Sequence, residues 1–131
     1  MKIYIASKAN HRPTWRLLRD EGVPIISRWI DVDDKYSVDP AELDFQALWD
    51  TCVEDVLACD VLVCYVEPGE VLKGAILELG IAIGAGKKIL LVGDREDYLK
   101  NGTWFNYRGC DHRVGWEIEE VLRDFIDEQE G

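Results

Sequence analysis

No stretch of the chain comes near the ~18 consecutive apolar residues that a membrane-spanning helix requires, so nothing in it is expected to cross a bilayer. Basic residues are scarce: 15 Lys and Arg against 26 Asp and Glu leave a formal net charge of −11. A sequence-independent grip on nucleic acid needs a basic surface, and that class of partner is excluded. The four cysteines, Cys52, Cys59, Cys64 and Cys110, form no CxxC pair and have no histidine at ligand spacing. Three of them fall on core-patterned positions, which reads as free thiols in a reducing cytoplasm; neither a metal nor a cofactor is expected. There is no low-complexity tract, and Met1-Lys2-Ile3-Tyr4 opens directly on a strand pattern with no leader-like run, so no signal peptide is expected. The aspartates of Asp31-Val32-Asp33-Asp34-Lys35 lack the mid-loop Gly and the Glu at position twelve of a calcium loop, and read as a solvated linker reaching Asp39. With 131 residues the chain is long enough for one domain, 1–131, with a core of its own.

What is present is organised around residues 60–93. Val61–Val66 is a short apolar run, Glu67–Lys73 a Pro- and Gly-containing turn, Gly74–Ala85 an almost wholly apolar segment and Lys88–Val92 a second apolar run. Strand, helix and strand within about thirty residues is the pattern of a βαβ unit with parallel strands. Inside GAILELGIAIGA the only charged side chain is Glu78. It stands either on the helix's one wet stripe or in the interior for a reason.

The flanking segments show the same alternation. Lys2–Ala6 is a first strand, and Ser7–Arg12 a polar loop without glycine. Pro13–Glu21 forms a helix opened by Pro13 and closed by Gly22, with Trp15, Leu17 and Leu18 as its apolar face. Pro24–Trp29 reads as the second strand. Asp39-Pro40-Ala41-Glu42 is a helix start, and Ala41, Phe45, Leu48, Trp49, Cys52, Val53 and Val56 recur as one buried face running to about Ala58. After a charged turn at Asp94–Lys100 comes an irregular, aromatic-rich loop over Asn101–Arg113, with a fifth strand expected in Thr103–Tyr107. Trp116–Glu128 is a final amphipathic helix.

This alternation predicts an α/β three-layer sandwich with a mostly parallel sheet of four or five strands. For a chain this short the flavodoxin-like, Rossmann-like strand order 2-1-3-4-5 is favoured. Ligands bind such sheets at the carboxyl ends of the strands, beside the switch point. Those ends are Ser7–His11 and Val66–Lys73.

Four carboxylates belong to the third strand and to the loop and helix after it: Asp60, Glu67, Glu70 and Glu78. Two carboxylates facing a sugar can break a glycosidic bond, one attacking the anomeric carbon and the other handling the proton at the leaving group. The attacking acid needs an orienting donor, and Tyr4 on the neighbouring first strand is placed to be one. The alternative leaves Glu78 on an exposed stripe and Glu67 as loop decoration. His11 and His112 read as surface or loop histidines. Trp15 and Trp49 pattern as core or interface; Trp29 and Trp104 pack in the core or stack on a base.

Tyr4-Ile5-Ala6-Ser7, Ala58-Cys59-Asp60-Val61-Leu62-Val63 and Gly74-Ala75-Ile76-Leu77-Glu78-Leu79-Gly80-Ile81-Ala82 together closely resemble the nucleoside 2-deoxyribosyltransferase family and the related 2′-deoxynucleoside 5′-phosphate N-hydrolases. The resemblance covers most of the chain and is weak after Gly93. It implies that Glu78 is the nucleophile of a covalent glycosyl intermediate, that Tyr4 orients it, and that Glu67 is the acid on the base side. It places Ser7 and Gly74 at the substrate, with Lys8 and Arg12 as charge available to a 5′-phosphate and Asp60 as a ribose-side group. It also implies a homodimer or higher homo-oligomer whose site is completed across the interface, with Asn106 as the candidate residue. Where the family carries Asp-Gly-Thr, this chain has Glu67-Pro68-Gly69. The expected function is cleavage or transfer at the N-glycosidic bond of a small nucleoside or nucleotide. The alternative is a non-catalytic module that senses or sequesters a nucleotide or an ADP-ribose-like ligand.

Overall fold

The computed structural model describes residues 1–32, 45–102, 110–115 and 117–130. Its centre is three short strands, β1 (Ile3–Ala6), β2 (Val61–Tyr65) and β3 (Lys88–Val92), in which every residue but Lys88 is buried. Strands covered on both faces are unbroken apolar runs rather than alternating ones, which is why IYIA, VLVCY and ILLV read so plainly. With β4 (Cys110–Arg113) they form an all-parallel sheet in the order β1-β2-β3-β4, Tyr4 lying opposite Leu62 and Leu90 opposite Asp111.

Helices fill the connections: α1 (Arg12–Asp20), α2 (Phe45–Ala58), α3 (Gly74–Gly84), α4 (Arg95–Lys100) and α5 (Ile118–Glu130). In α1 Pro13 occupies the opening turn and Trp15 and Leu18 are buried, whereas Leu17 points outward and is not part of the apolar face. Gly22, at φ +105°, lets the chain reverse after it. Residues 39–44, which carry the expected start of α2, lie outside the described residues, as do Thr103–Tyr107.

Two expectations about the sheet are corrected in detail, and its order survives both. The second strand, Pro24–Trp29, shrinks to a single parallel bridge between Ile25 and Ile3. Pro24 O and Ile26 N bond the main chain of Ile3, but at Ile5 side chains take over. Ser27 Oγ accepts from Ile5 N at 2.7 Å, and the Trp29 indole donates to Ile5 O at 2.7 Å. The chain then coils into a 3-10 turn over Arg28–Asp31, where Asp55 of α2 binds Arg28 through main chain and guanidinium. Counting that bridge, the order along the sheet is the expected 2-1-3-4-5. The last strand is Cys110–Arg113, inside what reads as irregular loop. Its residues are all half-buried, as befits the rim of a sheet.

Beside the end of β4, Gly93, at φ +132°, closes the carboxyl end of β3. A Cβ there would stand 2.5 Å from Val66 O, so the loops leaving β2 and β3 approach more closely than any side chain allows.

Candidate active site

Helix α3 settles where Glu78 points. Ala75, Glu78, Leu79 and Ala82, at i, i+3, i+4 and i+7, form its buried face, while Leu77 is 61% exposed. The helix is turned so that its only acid faces inward and a leucine faces water. An apolar stripe alone would choose the reverse, so the burial of Glu78 is a cost borne by the rest of the packing.

Glu78 forms the floor of a cavity of about 670 Å³ at the carboxyl ends of β1 and β2. One wall is the turn after β1, with Ser7, Lys8, Ala9 and Arg12. A second is Val71, Leu72 and Lys73 leading into Gly74 and Ala75. The third is aromatic and aliphatic: Trp29 and Val32 from the 3-10 turn and its exit, with Leu48, Trp49 and Cys52 from α2. Three cations, Lys8, Arg12 and Lys73, meet one carboxylate in this lining, although the chain as a whole carries −11. The first turn of α3 also offers N–H groups that lack intrahelical acceptors. The Arg12 guanidinium lies 6.0 Å from the Trp29 ring centre, within cation–π reach.

Burial raises the Glu78 carboxyl to about 7, and the neighbouring Tyr4 phenol is what holds it down. Burial and the facing Glu78 push the Tyr4 hydroxyl far above its ordinary value. The two groups sense one another, yet among the described residues neither Tyr4 Oη nor Glu78 Oε2 completes a well-formed hydrogen bond. Beside them, burial raises the Cys52 thiol to about 11, so it stays protonated.

Of the other residues singled out in the sequence, Ser7, Lys8, Arg12 and Gly74 line the cavity with Glu78. The Ser7 hydroxyl accepts from the Trp15 indole at 2.8 Å and donates to Lys8 O at 3.0 Å, so its one proton is already engaged. Asp60 is not brought to the site: it stands at the amino end of β2, exposed, accepting from Lys2 N at 2.7 Å. Glu67 does not line the cavity either. It is 41% exposed and lies 3.6 Å from His11 Nε2. Asn106 and Trp104 lie outside the described residues.

His11, far from being a surface residue, is buried and pairs with Glu70, its Nε2 lying 2.9 Å and 3.1 Å from the two carboxylate oxygens. Among the described residues His11, Glu67 and Glu70 are the group whose ligand atoms, all within 4.8 Å of one another, could hold a metal ion. The direct imidazole–carboxylate bond accounts for their approach without one. Trp49 and Cys52 are residues of the cavity that the sequence pattern assigns to core. Trp49 is 36% exposed, an unusual state for an indole on an apolar stripe. His112 Nε2 donates to Gly93 O at 2.8 Å.

The structure of Clostridium botulinum CMP N-glycosidase, BcmB, superposes on this chain with a TM-score of 0.60, covering 98% of this chain and 99% of that one at 16% identity. No family model matches the sequence, and no curated protein matches it. At that identity the likeness is one of fold: an α/β sandwich shared from end to end.

Proposed function

We propose that this protein cleaves the N-glycosidic bond of a nucleoside 5′-monophosphate, with Glu78 as the nucleophile. The observation that carries the reading is Glu78 itself: a buried carboxylate in the lining of a cavity that also presents three cations, two indoles and aliphatic side chains. A phosphomonoester brings negative charge to the part of the cavity lined by Lys8, Arg12 and Lys73, and a base supplies a face for Trp29 or Trp49. The fold neighbour's activity on CMP is of the same class.

In this reading the ionised Glu78 attacks C1′ as the bond to the base breaks, and the base departs with the bonding electrons and takes up a proton. The resulting glycosyl ester is opened by water, which returns the carboxylate and releases the sugar phosphate; a second base in place of water makes the same chemistry a transfer. Tyr4 steadies the carboxylate in its ionised form. Glu67 lies away from the cavity, so the proton for the leaving base comes from elsewhere than the resemblance implies.

That displaced acid favours one rival, a module that binds a nucleotide without cleaving it. Chromatography of purified protein incubated with CMP and each deoxynucleotide, with and without free acceptor base, separates the readings. Free base from a monophosphate, abolished in Glu78→Gln, is the expected result. New nucleotide formed only with acceptor base present identifies a transferase. Nucleotide bound but unchanged, with equal affinity in Glu78→Gln, transfers the case to the binding module.

A further inference from the structure

Two loops form opposite lips of the cavity, and a pair outside its lining, His11 and Glu70, joins them, with Glu67 3.6 Å from the same imidazole. The Ser7–Arg12 turn brings Lys8 and Arg12; the Glu67–Lys73 loop brings Val71, Leu72 and Lys73. Within itself the second loop is held at its start, where Glu70 N bonds Glu67 O at 3.1 Å and Gly69 takes φ +80°.

The Glu70 side chain binds both within the loop and across to the other lip. Glu70 Oε1 accepts from Glu67 N at 2.8 Å, and both Glu70 oxygens face His11 Nε2. An ionised carboxylate only accepts, so Nε2 carries the proton. The pair is shielded, with the Glu70 side chain 13% exposed, and the His11 ring is wedged edge-on between Tyr65 at 5.1 Å and Trp15 at 6.3 Å. From the far side α4 and its exit complete the hold. Asn101 donates to Glu70 O at 3.0 Å and accepts from Leu72 N at 2.6 Å, while Asp97 accepts from Gly69 N at 3.2 Å.

We infer that Glu70 is a positioning residue: through His11 it fixes the distance between Lys8 and Arg12 on one lip and Lys73 on the other, so that the three cations converge on one phosphate. This rests on the function proposed above. Ligand binding by separated charges depends steeply on their spacing, and loss of the tie loosens both lips together.

Amide hydrogen exchange and steady-state kinetics on CMP test it, using Glu70→Ala, Glu70→Gln, His11→Ala and the double alanine variant. In Glu70→Ala the His11 amide, which bonds Lys8 O across the turn, exchanges about tenfold faster or more. KM for CMP rises about tenfold with kcat within about twofold. Glu70→Gln, whose amide oxygen still accepts, restores both. His11→Ala matches Glu70→Ala, and the double variant is no worse than either, as members of one tie should be. If Glu70→Ala does not fold, His11→Ala carries the same expectations. Unchanged exchange at His11 together with unchanged KM overturns the inference, as does a fall in kcat at constant KM. A wild-type protein that neither binds nor cleaves CMP or any of the deoxynucleotides overturns the proposed function instead, and exchange at His11 then decides the tie alone.

Discussion

Tyr4 and Glu78 face one another as a phenol and a carboxylate, both buried, Glu78 lining the cavity and Tyr4 behind it, and neither Tyr4 Oη nor Glu78 Oε2 has a well-formed partner among the described residues. Such an arrangement stores instability at the place where chemistry is proposed. A carboxyl raised from an ordinary 4.5 to about 7 on folding ionises in the unfolded chain first. Stability is therefore full below about pH 4.5, falls as pH rises through the interval, and levels off above about 7 at a loss of about 3 kcal/mol. Glu78→Gln removes this titration. Denaturant unfolding of the two proteins at a series of pH values should find the Gln variant gaining on wild type between pH 5 and 7. A constant difference across that range would mean that Glu78 is not held in the interior.

The same pair sets an activity limb. The nucleophile must be ionised, so kcat/KM in the free enzyme should climb through about pH 7. Tyr4 is the one influence that lowers Glu78, so Tyr4→Phe should move that limb to higher pH. Measured at pH 6, Tyr4→Phe loses more activity than at pH 8.5. A uniform loss at every pH would make the phenol a contact for substrate rather than a partner of the carboxylate.

How much of this could be read from the residues differs from element to element, for physical reasons. β1, β2 and β3 are buried on both faces, so their sequences are continuous apolar runs that few other structures would accommodate. β4, CDHR, sits half-buried at the rim and carries no such signal. Pro24–Trp29 has the composition of a strand, but its pairing beyond Ile25 is completed by Ser27 and Trp29 side chains, a tertiary arrangement that composition does not encode. Glu78 is conspicuous because α3 has no other charge, yet an apolar helix gives no periodicity from which to tell its inner face. Strand direction alone separates Asp60 from the site, since residues that open a parallel strand lie at the end opposite its ligands. Choosing between Glu67 and Glu70 was beyond spacing: three residues apart in a turn, one faces outward and the other is held by His11.

The substitution of side chains for strand at the edge of β1 is itself testable. Ser27, 1% exposed, accepts the Ile5 N–H that a neighbouring strand would otherwise take. Ser27→Ala leaves that donor buried and unpaired, at a cost of about 1–3 kcal/mol. Chemical denaturation should register the loss, with activity at permissive temperature retained because Ser27 does not line the cavity. An unchanged midpoint would mean that main chain or water takes over at Ile5.

Gly74 tests the cavity from the other direction, by filling it. Its φ is not in the left-handed region, so the backbone makes no demand for glycine there. A Cβ would stand 3.7 Å from Glu78 Oε1 and 3.9 Å from Trp49 Cη2, ordinary contact on both sides. Alanine should therefore fold as well as glycine, or slightly better, since it restricts the unfolded chain. What the methyl does occupy is the gap between the carboxylate and the indole, which under the proposed function is the approach of the anomeric carbon to Glu78. Gly74→Ala is expected to leave the melting temperature unchanged or raised while kcat/KM falls about tenfold or more. The separation of the two readouts is the point: a structural glycine would lose both together. Full activity in a stable Gly74→Ala protein would place the sugar on the Ser7 side of Glu78, with Trp49 facing solvent rather than ligand.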